Sequence, residues 1–430
     1  MRMVSTRGIA PAVGVSEAIA AGPAPDGGLY MPESFPEFQP EDFANDVTLA
    51  DVAQRLLQPF FAGDVLADSL QEICRSAFAV EPPLRALGED GDLILELFHG
   101  ATAAFKDYGA GFLAACLSAL PQGDKPLTIV VATSGDTGAA VGAAFHRKPG
   151  VRVAILYPDG RIAPRQAHQL GCFGDNVRAF RVDGTFDDCQ RLAKEVLGDA
   201  DFRHEVPLGS ANSISIGRLL PQMAYYAHAA LTHWRATGHP LNLVVPTGNL
   251  GNALACLLAR RCGLPIGSVV LACNANDGLA RFFAGDAYHP RPTIATLANA
   301  MDVGAPNNFE RLQWLYPDAA ALRDAVHADS VDDDAIRATI MAMHRHHGEI
   351  VCPHTACALA AMQRLRERGA GGDWCAVATA HPAKFPEVVE PLVGRSVDLP
   401  GALAAMLSRP TMAATLANDP APLRAILRGW

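Results

Sequence analysis

"LNLVVPTGNLGNALACLLARRCG", residues 241–263, decides the fold class of this chain. "LNLVVP" reads as a short strand, Gly248 and Gly251 allow a tight turn, and the apolar pattern from Leu250 onward reads as a helix. A strand that runs through a glycine-bearing loop straight into a helix is the building unit of a parallel sheet covered by helices. The same succession recurs at "LILELF" (93–98), "LTIVVAT" (127–133), "VRVAILYP" (151–158), "VRAFRVDG" (177–184), "SVVLACN" (268–274) and "WCAVATA" (374–380). Most of these runs are followed by roughly ten to fifteen residues of helical character, which predicts an α/β protein with mainly parallel sheets. Ligands of such sheets lie beyond the carboxyl ends of the strands, so the residues just after each strand are the candidates for function.

Composition narrows the possibilities. A chain of 430 residues is long enough for two or three domains, each with its own core. Lysine and arginine number 35 against 45 aspartates and glutamates, and the net charge of −10 with no long basic run argues against a nucleic-acid partner. No apolar stretch reaches the roughly 18–20 residues of a membrane span, so no membrane partner is expected. "MRMVSTRGIAPAVG" (1–14) lacks the apolar core of a signal peptide, and the expected location is cytoplasmic. The ten cysteines are scattered with none in a CxxC pair, against both a zinc site and a disulfide framework. "MHRHHGE" (343–349) is read as a solvated helix end, and no metal is expected. Upstream of the first strand, "LADVAQRLLQPFFA" (49–62) and "LQEICRSAFAV" (70–80) carry helical periodicity.

Three strand ends carry chemistry. In "TGNLGN" (247–252), Gly248, Asn249, Leu250, Gly251 and Asn252 open onto a helix N-terminus, where unpaired N–H groups and the helix dipole suit a phosphate. "TSGDTGAAVGAAF" (133–145) is a second loop of this kind, in which Ser134, Thr137 and the local N–H groups suit a carboxylate. Lys106, in "FHGATAAFKDYGAGF" (98–112), follows "LILELF" and would emerge on the same rim. A buried lysine beside a phosphate cradle is placed to form a Schiff base with an aldehyde cofactor, because burial frees the amine to attack. Pyridoxal phosphate asks for an amine, a phosphate cradle and a partner for its ring nitrogen. Thr379, after "WCAVA", offers a hydroxyl for the third role.

These motifs occur together, in order, with "STRG" (5–8), "APDGGLYMPE" (24–33), "LFHGATAAFKD" (97–107), "ATSGDTGAA" (132–140), "SANSISIGRLLPQMAYY" (210–226), "AMDVGAPNNFERL" (300–312), "PHTA" (353–356) and "TAHPAKFPE" (379–387). From about residue 4 to 395 the chain resembles the threonine synthases, pyridoxal-phosphate enzymes of the tryptophan-synthase-like fold (PLP-dependent fold type II). The resemblance implies pyridoxal 5'-phosphate as cofactor, Lys106 as the lysine that binds it, 248–252 as its phosphate loop and Thr379 as the partner of its ring nitrogen. It implies that Ser134, Gly135, Asp136, Thr137 and Gly138 grip the substrate carboxylate. For the substrate phosphate, Arg161, Ser210, Asn212, Ser213 and Arg218 are the first candidates, followed by Asn308, Arg311 and Arg7. The family's usual proline after "FHG" is Ala101 here, its serine-rich run before "MD" is "ANA", and its phenylalanine in the phosphate loop is Leu250. Ala298 and Ala300 therefore lack hydroxyls that would bear on how the substrate phosphate is held. Relatives on this fold often carry asparagine where Asp136 stands, although aspartate is usual in threonine synthases.

The implied reaction converts O-phospho-L-homoserine and water to L-threonine and phosphate. Lys106 moves protons between carbons, phosphate leaves from the γ-carbon, and water adds at the β-carbon. The alternative on the same scaffold is a lyase that releases 2-oxobutyrate. The implied organisation is a mainly helical N-terminal region (1–92), a large cofactor-binding α/β domain (93–125 with 226–395), a small α/β domain (126–225) and a helical tail (396–430). Such a chain is expected to work as a monomer or homodimer.

Overall fold

The computed structural model describes residues 1–88, 91–121 and 123–430. Thirteen strands form among the described residues: β1 (Met3–Ser5), β2 (Tyr30–Pro32), β3 (Leu84–Leu87), β4 (Asp92–Glu96), β5 (Leu127–Ala132), β6 (Val151–Pro158), β7 (Val177–Val182), β8 (Leu208–Ser210), β9 (Leu241–Pro246), β10 (Ile266–Cys273), β11 (His327–Ser330), β12 (Trp374–Ala378) and β13 (Ala413–Leu416). β1 and β2 pair antiparallel near the N-terminus. The large sheet has the order β11-β10-β9-β12-β4-β3 and the small sheet β13-β7-β6-β5-β8. Every pairing in the small sheet is parallel, and in the large sheet only β3 runs antiparallel, against β4. Each strand predicted from the apolar runs is present, and the carboxyl ends of β4, β9 and β12 share one rim.

Strand periodicity divides the core. Val130 and Val131 of β5, and Val244 and Val245 of β9, are fully buried on opposite faces of their sheets. One face of each sheet packs against the helices Leu49–Phe61, Leu70–Ala77 and Lys106–Ala119 through residues such as Phe60, Phe78 and Phe112. The other face of the large sheet is covered by the helix Pro353–Glu367 through Cys357 and Ala361. The helix Lys106–Ala119 is apolar on nearly all sides, as a helix buried between two layers must be.

Two segments differ from expectation. Residues 84–87, expected within the helical N-terminal region, form the antiparallel edge strand of the large sheet. The tail, expected to be helical, contains the helices Gly401–Leu407 and Pro420–Arg428 but also β13, which pairs with β7 in the small sheet. Leu416, Leu423 and Leu427 are thereby buried beneath that sheet with Phe180 and Leu192. A four-residue strand makes no signal by itself, and its pairing partner lies more than two hundred residues away.

All ten cysteines are free and buried. Histidines 346 and 347 are exposed at the end of the helix Asp333–His347, where cationic groups suit the dipole. Among the described residues no group of His, Cys, Asp and Glu is arranged to hold a metal ion, and no helix is long and apolar enough to cross a membrane.

Candidate active site

Lys106 is delivered by a loop that β12 holds in place. The Leu97 N–H donates to the Ala378 carbonyl at 2.9 Å, Phe105 N–H to the Thr379 carbonyl at 2.9 Å, and His381 N–H to the Ala103 carbonyl at 3.0 Å. The two segments that leave neighbouring strand ends thus run side by side, and Thr379 is fixed next to Lys106. The loop is closed by Asp107, whose carboxylate accepts from the Thr102 N–H at 2.8 Å and the Thr102 hydroxyl at 2.6 Å. Gly100 is required there, because a Cβ would stand 2.5 Å from Asp107 Oδ2. Lys106 is the first residue of its helix, so its amine leaves the positive end of a buried dipole.

The small sheet contributes the loop after β5. The Thr133 hydroxyl accepts from the N–H groups of Gly135 and Gly138, each at 3.0 Å, and folds 133–138 into a turn at the head of the helix Asp136–Phe145. Gly135 has φ 141°, where a side chain would be strained and would meet Gln166. Ser134 and Thr137 are half-buried on this turn, and Asp136 is buried. Asp136 Oδ1 lies 2.9 Å from Lys384 Nζ and accepts from Gln166 Nε2 at 2.9 Å, while Oδ2 is 4.0 Å from Lys106 Nζ. Burial would raise the Asp136 carboxyl, but the Lys384 and Lys106 amines hold it well below the usual carboxylate range. The Lys106 amine is pushed down by burial and by the cations Lys384 and Arg218, against the pull of Asp136. His354 is buried beside them and accepts the Ala300 N–H on Nε2 at 3.1 Å, and burial holds its imidazole neutral with a pKa of about 4.

The loop after β9 is rigid and polar. Leu250 is left-handed at φ 64°, and a Cβ on Gly248 would sit 2.7 Å from the Cα of Met301. Asn249 is tied on three sides: Nδ2 donates to Ser213 Oγ at 2.6 Å, Oδ1 accepts Asn307 N–H at 2.6 Å, and its carbonyl accepts Asn308 Nδ2 at 2.9 Å. Gly251 and Asn252 begin the helix Gly251–Arg261. The hydroxyls of Tyr225 and Tyr226 donate to Asn252 Oδ1 at 2.5 and 2.8 Å, yet the buried Asn252 Nδ2 has no partner among the described residues. An orphaned amide donor beside the free N–H groups of a helix N-terminus is a site awaiting an anion. The residues present therefore fit pyridoxal phosphate: a dianion cradle, a neutral-leaning amine, and a strand-end hydroxyl at Thr379.

Among the residues expected to hold substrate, the structure separates two kinds. Arg218 is buried under the Lys106 helix, where a Cβ on Gly109 would lie 3.1 Å from its Nε. Its Nη1 donates to the Ala211 carbonyl at 2.7 Å, its Nε is unpartnered, and burial pushes its pKa down to about 10. Asn212 Oδ1 is likewise buried without a partner among the described residues, and Ser210 Oγ accepts the Asn212 N–H at 3.4 Å. Ser213 belongs to the β9 loop through Asn249. Arg161 is exposed on the turn after β6 and is drawn into none of these contacts among the described residues. Arg311 is fully buried, but its guanidinium is taken up by the carbonyls of Tyr30 and Ile214 and by Asn308 Oδ1. It and Asn308 therefore brace the β9 loop and are not free to grip a ligand. Arg7 is held at the surface by Glu310 at 3.3 Å and the Asp26 carbonyl at 3.1 Å.

Sequence reasoning missed Lys384, Gln166 and His354. Lys384 stands inside the quoted motif "TAHPAKF", just past a strand on the active rim and flanked by Ala383 and Phe385, which is the one local sign that it is buried.

Comparison with known proteins agrees with the geometry. Residues 84–381 match the family model of pyridoxal-phosphate-dependent enzymes, 2–78 match the threonine synthase N terminus and 355–427 the threonine synthase C-terminal model. The chain is 38% identical over 417 residues to the threonine synthase of Escherichia coli (strain K12), covering 96% of each. It is 33% identical to the threonine synthase of Saccharomyces cerevisiae over 455 residues, covering 90% of this chain and 88% of that one. The crystal structure of PLP-bound threonine synthase from Brucella melitensis superposes with a TM-score of 0.91 at 35% identity, covering 100% of this chain and 99% of that one.

Proposed function

Because the chain belongs to the threonine synthase family of pyridoxal-phosphate-dependent enzymes, we propose that it converts O-phospho-L-homoserine and water into L-threonine and phosphate, with Lys106 as its proton-moving base. The observation that supports the assignment of residues is that Lys106 Nζ lies 4.0 Å from Asp136 at the head of one helix, on the strand-end rim that also carries the orphaned Asn252 amide after β9. Bound pyridoxal phosphate supplies an aldehyde for an amine and a conjugated ring that accepts the electron pair left when a carbon loses its proton.

Gly248, Asn249, Leu250, Gly251 and Asn252 hold the cofactor phosphate, and Thr379 meets the ring nitrogen. Ser134, Gly135, Thr137 and Gly138 receive the substrate carboxylate on N–H groups and hydroxyls. Asp136 contributes to that turn through its backbone, since its side chain is tied to Lys384. With its amine free, Lys106 would be the base for the α-carbon and then for the β-carbon, handing on each proton before it takes the next. The same amine would return a proton at the γ-carbon after phosphate has left, and, once the hydroxyl of water has added at the β-carbon and its proton has gone to the phosphate, a second proton at the α-carbon. Arg218 lends positive charge from beneath the Lys106 helix, with Ser210, Asn212 and Ser213 on the neighbouring loop. Arg161, exposed at the rim, reaches the substrate only if its turn moves inward. Free, buried cysteines support a reducing compartment, in keeping with a cytoplasmic enzyme acting as a monomer or homodimer.

The test is to supply O-phospho-L-homoserine and measure phosphate, threonine and 2-oxobutyrate together, for the native protein and for Lys106→Ala. Threonine equal to phosphate, abolished in the variant, is the expected result. Phosphate with 2-oxobutyrate would instead make the protein a lyase, and undiminished threonine from the variant would remove Lys106 from its role.

A further inference from the structure

Lysine is among the residues least often found without exposed surface, and Lys384 has none. Its Nζ lies 2.9 Å from Asp136 Oδ1 and donates to the Thr102 carbonyl at 2.7 Å. Two amines therefore stand around one buried carboxylate, and they stand unequally. Lys384 is hydrogen-bonded to Asp136, whereas Lys106 Nζ, at 4.0 Å from the other oxygen, is not. If the Lys384 ammonium were absent, the nearest amine left to neutralise Asp136 would be Lys106. An amine paired in that way would be held as an ammonium ion, unable to attack an aldehyde or accept a proton.

We propose that Lys384 is the standing counter-ion of Asp136, a positioning residue that prevents this carboxylate from capturing Lys106 and so leaves Lys106 a free amine.

The surrounding charges agree. Around Lys106 stand Asp107 from its own helix, Asp136 from the helix after β5, Arg218 from beneath Gly109, His354 from the helix Pro353–Glu367, and Lys384 from the turn after β12. With Lys106 uncharged and His354 neutral, the cluster already carries the positive charges of Lys384 and Arg218 against Asp136, while burial raises the Asp107 carboxyl towards its neutral form. A proton on Lys106 adds an unbalanced charge to a buried cluster, which is costly. Asp107 is held by Thr102, whose N–H and hydroxyl donate one to each of its oxygens. The ion pair also crosses between the two sheets: Asp136 belongs to the small one and Lys384 follows a strand of the large one.

The inference rests on Lys106 being the cofactor lysine, and the experiment separates the two. The full chain is stripped of cofactor and mixed with pyridoxal phosphate across a pH series. The product is trapped with borohydride, and the rate of labelling is read from the mass of the peptide that carries it. In Lys384→Met the labelling rate of Lys106 at neutral pH should fall about tenfold, with the midpoint of the profile moved upward. In Asp136→Asn/Lys384→Met, with no carboxylate left to capture Lys106, the profile should return to within about twofold of the native rate. Lys384→Arg should keep the native midpoint. A native profile in folded Lys384→Met, or a double variant displaced as far as the single one, overturns the proposal. Should Lys384→Met not fold, Asp136→Asn alone should label at a lower midpoint than the native chain, and an unmoved midpoint there overturns it too. Label on a different lysine would refute the assignment of Lys106 itself, whereas label on Lys106 with an unmoved profile refutes only the role of Lys384.

Discussion

Replacing Arg311 with methionine removes a cation whose guanidinium is taken up by protein oxygens, and should weaken both the fold and the site. The guanidinium makes four hydrogen bonds: to the Tyr30 carbonyl from Nε at 3.1 Å and Nη2 at 3.0 Å, to the Ile214 carbonyl at 2.8 Å, and to Asn308 Oδ1 at 2.8 Å. Methionine leaves three acceptors bare, the Tyr30 carbonyl and Asn308 Oδ1 buried and the Ile214 carbonyl half-buried, and each buried one costs about 1–3 kcal/mol. Against this stands relief from burying a guanidinium that no carboxylate pairs among the described residues, an effect large enough to push its pKa down to about 9. Relief from that burial is worth on the order of several kcal/mol. The difference leaves the variant less stable by about 2–4 kcal/mol. The second effect travels outward: Asn308 loses its brace, and with it the Asn249 carbonyl that Asn308 holds at 2.9 Å. Cofactor affinity should fall about tenfold, equivalent to about 1.4 kcal/mol. Urea denaturation without cofactor reads the first effect, and an absorbance titration with pyridoxal phosphate reads the second. Arg311→Lys should recover little, since an ammonium cannot reproduce the planar fork. A variant with the native urea midpoint and native cofactor affinity would refute the reasoning.

Two further perturbations probe the same loop. Gly248→Ala places a methyl 2.7 Å from the Cα and 2.8 Å from the carbonyl oxygen of Met301, backbone that cannot swing aside. Cofactor affinity should drop by about tenfold or more with circular dichroism unchanged, and native affinity would show that the loop is softer than its contacts imply. Asp302, which holds the segment over Gly248 through Thr296 and Asn274, has its carboxyl raised by burial from 3.8 to about 6. A folded pKa above the unfolded one means that the folded state keeps its proton longer, so this residue's contribution to stability is full below pH 3.8 and is lost as pH rises through about 6. Asp302→Asn should flatten that slope in a series of thermal melts, and an identical slope would assign it to other groups.

Much of this arrangement was legible because strand, glycine loop and helix N-terminus are consecutive in sequence. "GNLGN" and "SGDTG" carry their chemistry in the backbone, and local pattern fixes the backbone. Lys106 could be placed because it too follows a strand. What stayed hidden is set by residues far apart. Lys384 reads as a surface lysine until Asp136 and Thr102 close over it from elsewhere in the chain. Arg311 and Asn308 read as phosphate ligands because an arginine in a motif is ordinarily aimed at an anion. Only the fold shows that the guanidinium faces carbonyls from the segments at Tyr30 and Ile214. Arg161 has the reverse problem: its residue type suits a phosphate, but its turn stands open to solvent.

The edge position of β13 bears on how the molecule comes into being. The small sheet is assembled from β5, β6, β7 and β8, and is then sealed at β7 by residues 413–416. During synthesis, β7 emerges more than two hundred residues before the strand that covers it. Until translation is nearly complete, β7 is an open edge of the kind that invites pairing with other chains. The half of the enzyme that carries Asp136 is thus finished last, and a message cut short of residue 413 would yield a chain with every candidate catalytic group present and an aggregation-prone seam beside them.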